Sequence, residues 1–292
     1  MDGTILLPVD PDTDSTAATD CAIASARQTD ATIRVLSVLE FHDLESLPAA
    51  ETASLRAAAT RRARAAVDAA AERIENAGIP VVRDRCEGVP YQEIVSLAAQ
   101  TDPGLIVMGT RGSTTADEPD PRVGSTTQRV LALSAVPVLA VPLDRQPWPD
   151  TASAGCSRVV IATDGSDAAE RAADSALELV AAARGVVDVI SVIDETAPIL
   201  EDAPASVLEL RREGGHDAIE PIAVTARSRD LEVRTDVLRG VPHDELVSYA
   251  SAVDADLLAM GARGLAVGGD PVLGGTTARV LERADRPVLA VR

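Results

Sequence analysis

Two carboxylates and two glycine-rich loops are the residues of this chain that could bind a ligand. Asp10 and Asp164 each follow a short apolar run, and the loops 109–126 and 261–276 each run into a helix-like segment. A carboxylate can accept hydrogen bonds from ribose hydroxyls, while loop amides at the start of a helix can hold phosphate. These residue types therefore predict a nucleotide site in each half of the chain.

The spacing of these residues shows that the chain contains one domain twice. Asp10 and Asp164 are 154 positions apart, and Gly109 and Gly261 are 152 positions apart. A period of about 150 residues matches a whole domain and is too long for a solenoid repeat. We therefore predict three segments, which are a first domain at 1–142, a linker at 143–156 and a second domain at 157–292.

The elements that must position these residues are strands alternating with helices. Several strand-length runs are apolar at nearly every position, which is typical of a parallel sheet covered on both faces. We predict two tandem doubly wound α/β domains, each with a five-stranded parallel sheet. Ligands in such sheets bind where the strand order reverses, at the carboxyl ends of the strands. Ser15 is predicted to be a helix N-cap, and Pro90 and Pro242 are predicted to open helices.

Composition excludes several classes of function. The chain has 46 acidic and 27 basic residues, a net charge of −19, and no lysine. This charge disfavours nucleic-acid binding, and four aromatic residues are too few for base stacking.

The apolar runs are too short to cross a bilayer and the N-terminus does not resemble a leader, so we expect a cytoplasmic protein that binds no membrane. An acidic, lysine-free composition is typical of salt-adapted, haloarchaeal proteins. The cysteines and histidines lack metal-ligand spacing, so we predict no metal site.

The second glycine loop has a longer pattern than a single turn requires. Gly261-x-x-Gly264 is followed by nine residues and then by Gly274-Gly275-Thr276 before a helix and a Pro-Val-Leu strand. Together with Asp164 after the first strand, and with matching residues in the other half, this pattern resembles the universal stress protein family. The resemblance covers nearly the whole chain except the linker.

The resemblance implies an adenine-nucleotide site like that of the ATP-binding branch of the family. The expected cofactor is ATP or a related adenine nucleotide, with Mg²⁺ as an optional accompanying ion. The aspartate would meet the ribose, the valine would line the adenine, and the glycines and hydroxyls would surround the phosphates. The implied residues are Asp10, Val38, Gly109, Gly112, Gly124, Ser125 and Thr126 in the first half, and Asp164, Val192, Gly261, Gly264, Gly274, Gly275 and Thr276 in the second.

Each half departs from the family pattern. The first loop has two additional residues and three carboxylates, and one carboxylate about 4 Å from a phosphate would cost roughly 4 kcal/mol at an effective dielectric constant near 20 unless Mg²⁺ or salt intervenes. In the second loop Gly275 replaces a hydroxyl residue, at a cost of about 1.5–3 kcal/mol, although Thr276 or Thr277 could replace that hydroxyl. We expect the second half to hold the tighter site.

Several residues have two open interpretations. Asp10 and Asp164 could instead cap the helices that follow them. Arg111 and Arg263, at the same place in each loop, could neutralise phosphate or be solvated charges. Eight further residues are expected to have no role in binding. Those expected at the surface are Arg56, Arg61, Arg62, Arg64, Arg129 and Arg279, and those expected to pack in the core are Met108 and Met260.

The sequence is compatible with three functions. The first is a stress-response or regulatory module that binds an adenine nucleotide and changes its contacts with a protein partner. The second is a nucleotide-independent interaction platform with decayed sites. The third is an enzyme such as a slow ATP hydrolase or a transferase, which is disfavoured because there is no Walker lysine and no evident general base. We also expect strands 137–141 and 287–291 to pair within one chain as a pseudo-twofold dimer, with a further homodimer as an option.

Overall fold

The structure is a computed structural model that describes residues 3–41, 49–111, 123–143, 156–196, 204–264 and 272–292. The chain divides into two compact units, residues 1–148 and 149–292. The predicted linker 143–156 lies almost entirely outside the described residues, as does Gly112 in the first glycine loop.

The first unit is a parallel sheet with its helices in the crossover connections. Hydrogen-bonded neighbours give the strand order β3-β2-β1-β4-β5, with every pairing parallel. The order reverses between β1 and β4, which is where ligands bind in open α/β sheets. The elements are β1 Thr4–Pro8, α1 Thr16–Thr29, β2 Thr32–Leu39, α2 Ala49–Asn76, β3 Val81–Glu87, α3 Pro90–Thr101, β4 Leu105–Gly109, α4 Ser125–Leu133 and β5 Val138–Val141.

The second unit repeats this topology. Its strand order is β8-β7-β6-β9-β10, again with parallel pairing throughout and with the reversal between β6 and β9. The two units together confirm the predicted tandem α/β fold. The elements are β6 Arg158–Ala162, α5 Asp167–Ala181, β7 Val186–Asp194, α6 Ala205–Ser228, β8 Glu232–Gly240, α7 Pro242–Ala252, β9 Leu257–Gly261, α8 Gly275–Arg283 and β10 Val288–Val291.

The central strands carry the core of each unit. Leu105, Ile106 and Val107 are consecutive residues of β4, and all three are fully buried. Because successive strand residues point to opposite faces, the sheet must be covered on both faces. Each fully buried Leu, Ile or Val contributes roughly 1.5–3 kcal/mol of transfer free energy. The core therefore fixes the strand ends at which the candidate site lies.

Three helices begin at the positions that the sequence predicted. Pro90 and Pro242 occupy the first turns of α3 and α7, as predicted. Ser15 is the N-cap of α1, although its side chain makes no capping hydrogen bond. No helix among the described residues is long and apolar enough to cross a membrane.

Candidate functional site

The aspartate after the first strand of each unit organises the loop that follows it. Asp10 Oδ1 accepts the backbone N–H of Asp12 at 2.9 Å, and Asp164 Oδ1 accepts that of Ser166 at 3.1 Å. The helix N-caps are Ser15 and Ser166. The interpretation of Asp10 and Asp164 as helix caps is therefore wrong, because each carboxylate closes a short turn before the cap.

A threonine joins each glycine loop to the helix after it. Thr127 Oγ1 donates to the carbonyl of Gly109 at 2.9 Å, and Thr277 Oγ1 donates to that of Gly261 at 2.9 Å. Both threonines are only 2% exposed. The first amides of α4 and α8 lack partners within their own helices, and this contact holds them at the end of the neighbouring strand. Because Thr277 already donates its proton there, Thr276 is the better replacement for the hydroxyl missing at position 275.

The first unit contains a cavity of about 280 Å³ at the carboxyl ends of its strands. Four of the predicted contact residues lie on its wall, namely Asp10 after β1, Val38 on β2, Gly109 on β4 and Thr126 on α4. Gly124 is the N-cap of α4 and Ser125 its first residue, so both adjoin this wall. Gly112 is the predicted residue that lies outside the described part of the chain.

The cavity wall also contains residues that the sequence did not single out. Met108 was interpreted as packing, and it is indeed buried, but it lines the cavity as well. Leu36 and Ile94 add apolar surface. Arg62 on α2 donates to Asp12 at 2.9 Å and lies on the same wall, which its interpretation as a solvated arginine did not anticipate. No sequence signal separates Arg62 from the other arginines of that helix.

Acidic groups outnumber basic ones among the described residues of this wall. These residues contribute four carboxylates and two guanidinium groups to the cavity, the latter from Arg62 and Arg111. Hydrogen bonds from the side chain and the backbone of Thr16 lower the pKa of Asp14, so this carboxylate is ionised near neutral pH. A bound phosphate would need its charge compensated by the arginines or by a cation. The described residues contain no group of three or more His, Cys, Asp or Glu side chains suited to hold a metal ion by themselves.

The second unit arranges the same elements more tightly. Helix α5 is capped two positions after Asp164, whereas α1 is capped five positions after Asp10. The first turn of α5 consequently lies against the glycine loop, and a Cβ on Gly261 would be 3.1 Å from the Cβ of Ala168. A Cβ on Gly264 would lie 2.6 Å from Asp164 Oδ2, so the aspartate and the loop are in contact.

The remaining predicted residues of the second unit lie on β7 and at the start of α8. Val192 is a half-buried residue of β7, Gly274 is the N-cap of α8, and Thr276 follows in its first turn. Gly275 is exposed, and a Cβ there would meet no atom within 4 Å. A separate open pocket of about 350 Å³ lies between the start of α5 and the glycine loop, and Gly264 is the predicted residue on its wall.

The fold and the paired glycine loops define a tandem α/β protein in which each unit repeats one loop-and-helix site. The family model described as the Universal stress protein family matches residues 1–142 and 156–292. The chain belongs to the universal stress protein family.

The chain is also similar to individual proteins and solved structures. Universal stress protein MJ0531 of Methanocaldococcus jannaschii is 33% identical over 138 residues, which are 46% of this chain and 81% of that protein. The crystal structure of a universal stress protein from Archaeoglobus fulgidus has a TM-score of 0.70 at 22% identity, covering 99% of this chain and 96% of its own. A universal stress protein solved in complex with cAMP is 30% identical, with a TM-score of 0.36, over 48% of this chain and 99% of its own.

Proposed function

We propose that this protein is a regulatory module of the stress-response type that binds ATP or a related adenine nucleotide in the cavity of its first unit. The observation that carries the proposal is the meeting of four residues on one wall. Asp10, Val38, Gly109 and Thr126 come from three elements and one loop of the chain, and all of them line the same cavity. The family resemblance predicts the same four residues as nucleotide contacts.

The wall offers a surface suited to each part of a nucleotide. Val38 and Leu36 are apolar and would lie against the adenine, and the Asp10 carboxylate would accept from the ribose hydroxyls. A volume of about 280 Å³ is slightly below the range of about 300–1,000 Å³ usual for ligand pockets. The cavity therefore suits the nucleoside part, with the phosphates extending toward Arg111 and the glycine loop.

The four carboxylates on this wall favour a nucleotide whose phosphate charge is compensated. Mg²⁺ prefers oxygen ligands and usually binds through one or two carboxylates together with substrate phosphates. We accordingly propose Mg²⁺ as the accompanying ion for ATP. Binding, rather than turnover, is the proposed activity, because the chain has no lysine and the described residues that line the cavity include no histidine.

Equilibrium dialysis with labelled ATP, AMP and cAMP, each with and without Mg²⁺, tests the proposal. The assays should run in parallel at about 0.2 M and 2 M KCl, since screening lengths differ severalfold between them. We expect the wild-type protein to retain nucleotide, and ATP to be retained better with Mg²⁺. If the protein retained none of the three nucleotides at millimolar concentration, the proposal would be wrong.

A matched pair of variants locates the bound nucleotide. Val38→Trp would fill the apolar part of the cavity, whereas Val192→Trp makes the same change at the equivalent position of the second unit. We expect only Val38→Trp to reduce retention, by about tenfold or more, with circular dichroism confirming that both variants are folded. Equal losses from the two variants would contradict binding in the first-unit cavity.

A further inference from the structure

The hydroxyl of Thr13, on the wall of the first-unit cavity, makes no hydrogen bond to the described part of the chain. Thr13 lines the cavity, and its Oγ1 atom is hidden from solvent. A buried hydroxyl without a partner is unfavourable, because it has given up its hydrogen bonds to water and gained none in return. A ligand atom that bound this hydroxyl would remove that penalty.

The segment that contains Thr13 is longer than its counterpart in the second unit. Residues 11–14 separate Asp10 from the cap of α1, whereas Gly165 alone separates Asp164 from the cap of α5. The backbone N–H of Thr13 donates to the carbonyl of Asp10 at 3.3 Å, which holds the two residues side by side on the wall. The second unit therefore provides no equivalent hydroxyl at this place.

The hydroxyl of Thr13 can turn toward the cavity without losing a contact. A threonine side chain changes between staggered rotamers by rotation about its Cα–Cβ bond. Because Oγ1 has no hydrogen-bond partner among the described residues, this rotation breaks no hydrogen bond there. The hydroxyl is consequently available to a polar atom that a ligand places beside Asp10.

The charges around Thr13 determine which kind of ligand atom suits it. Asp10, Asp12 and Asp14 line the same wall, and Arg62 donates to Asp12, so this part of the wall carries more negative than positive charge. Ionised carboxylates accept hydrogen bonds and repel a phosphate, whereas a sugar hydroxyl can donate to a carboxylate and also bond a threonine hydroxyl. The surroundings of Thr13 therefore favour a neutral diol, such as that of ribose, over an anion.

We propose that Thr13 is a specificity residue that binds one hydroxyl of the ribose diol beside Asp10, so that the first unit prefers ribonucleotides to deoxynucleotides. The inference rests on the proposed function, because it needs a nucleotide in the first-unit cavity. The Asp10 carboxylate accepts from the diol, and Thr13 Oγ1 bonds one of the same two hydroxyls as donor or acceptor. A deoxynucleotide without that hydroxyl leaves Thr13 unpartnered, and a site that hydrogen-bonds a ligand hydroxyl discriminates against analogues that lack it.

Equilibrium dialysis of ATP, 2′-deoxy-ATP and 3′-deoxy-ATP with the full chain tests the proposal. We expect Thr13→Val to bind ATP about 3- to 10-fold more weakly than the wild-type protein, and Thr13→Ser to restore the affinity. Thr13→Val should bind one of the two deoxynucleotides as the wild-type protein does, and that nucleotide identifies the hydroxyl that Thr13 contacts. Thr235→Val changes an exposed threonine of β8 in the same way and should leave all three affinities unchanged.

The outcomes separate this inference from the proposed function. Retention of no nucleotide by the wild-type protein would overturn both. Retention with the same ATP affinity in Thr13→Val, or with an equal loss for all three nucleotides, would overturn the role of Thr13 alone.

Urea unfolding without nucleotide provides a second measurement. Because the Thr13 hydroxyl has no partner among the described residues, Thr13→Val should leave the unfolding midpoint unchanged or raise it. A lower midpoint would show that the hydroxyl is bonded within the protein, and the inference would then be wrong.

Discussion

The two units share a loop, a threonine contact and a strand order, but they differ in where the helix after the aspartate begins. In the first unit Ser15 caps α1 five positions after Asp10, and in the second unit Ser166 caps α5 two positions after Asp164. The earlier start places the first turn of α5 against Gly261. The later start of α1 leaves space, and the first-unit cavity occupies it.

This difference teaches that the volume of such a site depends on a loop length outside the glycine motif. The spacing of the motif led us to expect the tighter nucleotide site in the second unit. The geometry supports the opposite proposal, since four predicted residues line a cavity in the first unit. In the second unit the aspartate and the glycine loop are in direct contact.

The largest expected effect concerns the close approach in the second unit. In Gly261→Ala the new Cβ would lie 2.9 Å from the Arg263 carbonyl and 3.1 Å from the Ala169 nitrogen, whereas in Gly109→Ala it would lie 3.3 Å from the Arg111 carbonyl. We expect Gly261→Ala to lower the free energy of unfolding of its unit by about 3 kcal/mol and Gly109→Ala by about 1 kcal/mol. Urea unfolding followed by hydrogen exchange in each unit measures both, and equal effects would refute the difference in packing.

The next effect concerns the hydroxyl that the second glycine loop lacks. A Cβ at position 275 meets no atom within 4 Å, so Gly275→Ser should be accommodated without strain. A regained hydrogen bond to a phosphate is worth about 1.5–3 kcal/mol, so phosphate or nucleotide affinity in this unit should rise about 10- to 100-fold. Calorimetric titration measures this rise. Gly275→Ala is the matched control, and a similar gain there would mean that helix propensity, not the hydroxyl, causes it.

A third effect separates the units at alkaline pH. Burial, and then the neighbouring Asp188 carboxylate, raise the pKa of Tyr249 to about 12, and its hydroxyl contacts Asp188 at 3.2 Å. A raised pKa stabilises the fold below the unfolded-state pKa of about 10 and loses that contribution as the pH rises toward 12. The second unit should lose roughly 1–2 kcal/mol over this range, while the first has Leu97 at the equivalent position.

Tyrosinate absorbance tests this effect directly. Tyr91→Phe leaves Tyr249 as the single tyrosine of the chain, and its titration midpoint should lie near pH 12. Tyr249→Phe should remove the alkaline loss of stability. A midpoint near pH 10 in the Tyr91→Phe variant would show that Tyr249 is not held by burial and Asp188.

The smallest effect concerns an ion pair of the first unit whose arginine is replaced by glycine in the second unit. Arg62 pairs with Asp12 on the cavity wall, and Gly214 stands at the position equivalent to Arg62 in the second unit. Because the Arg62 side chain is 60% exposed, Arg62→Ala should weaken nucleotide binding by no more than about fivefold, and less at high salt. Arg61→Ala is the control in dialysis, and a loss above about tenfold would assign Arg62 a larger role than an exposed ion pair can have.

Much of the fold could be predicted because its signals are local. Apolar strands, the prolines at the start of α3 and α7 and the repeat itself were all readable from the sequence. The hydrogen bonds from Thr127 and Thr277 to the carbonyls at the ends of β4 and β9 could not be predicted, because they join residues on different elements. The choice between Thr276 and Thr277 as a replacement hydroxyl depended on that contact.

The candidate site was predictable in its residue types and not in its shape. Asp10 and Gly109 were identified from their spacing, but the cavity between them depends on where α1 begins. Arg62 enters the wall through the packing of α2, which sequence pattern alone cannot specify. Arg263 was noted in its loop, but only its hidden nitrogens show that it lacks an acceptor.

Calorimetric titration of Mg-ATP into the matched variants Asp10→Ala and Asp164→Ala tests most directly that the first unit holds the nucleotide. Asp10 lies on the cavity wall, and Asp164 is exposed against its glycine loop. Loss of a hydrogen bond to the ribose from a charged acceptor should weaken the tighter site about tenfold or more in Asp10→Ala. In Asp164→Ala the tighter site should bind as in the wild-type protein. Loss of the tighter site in Asp164→Ala, with Asp10→Ala unchanged, would contradict the assignment.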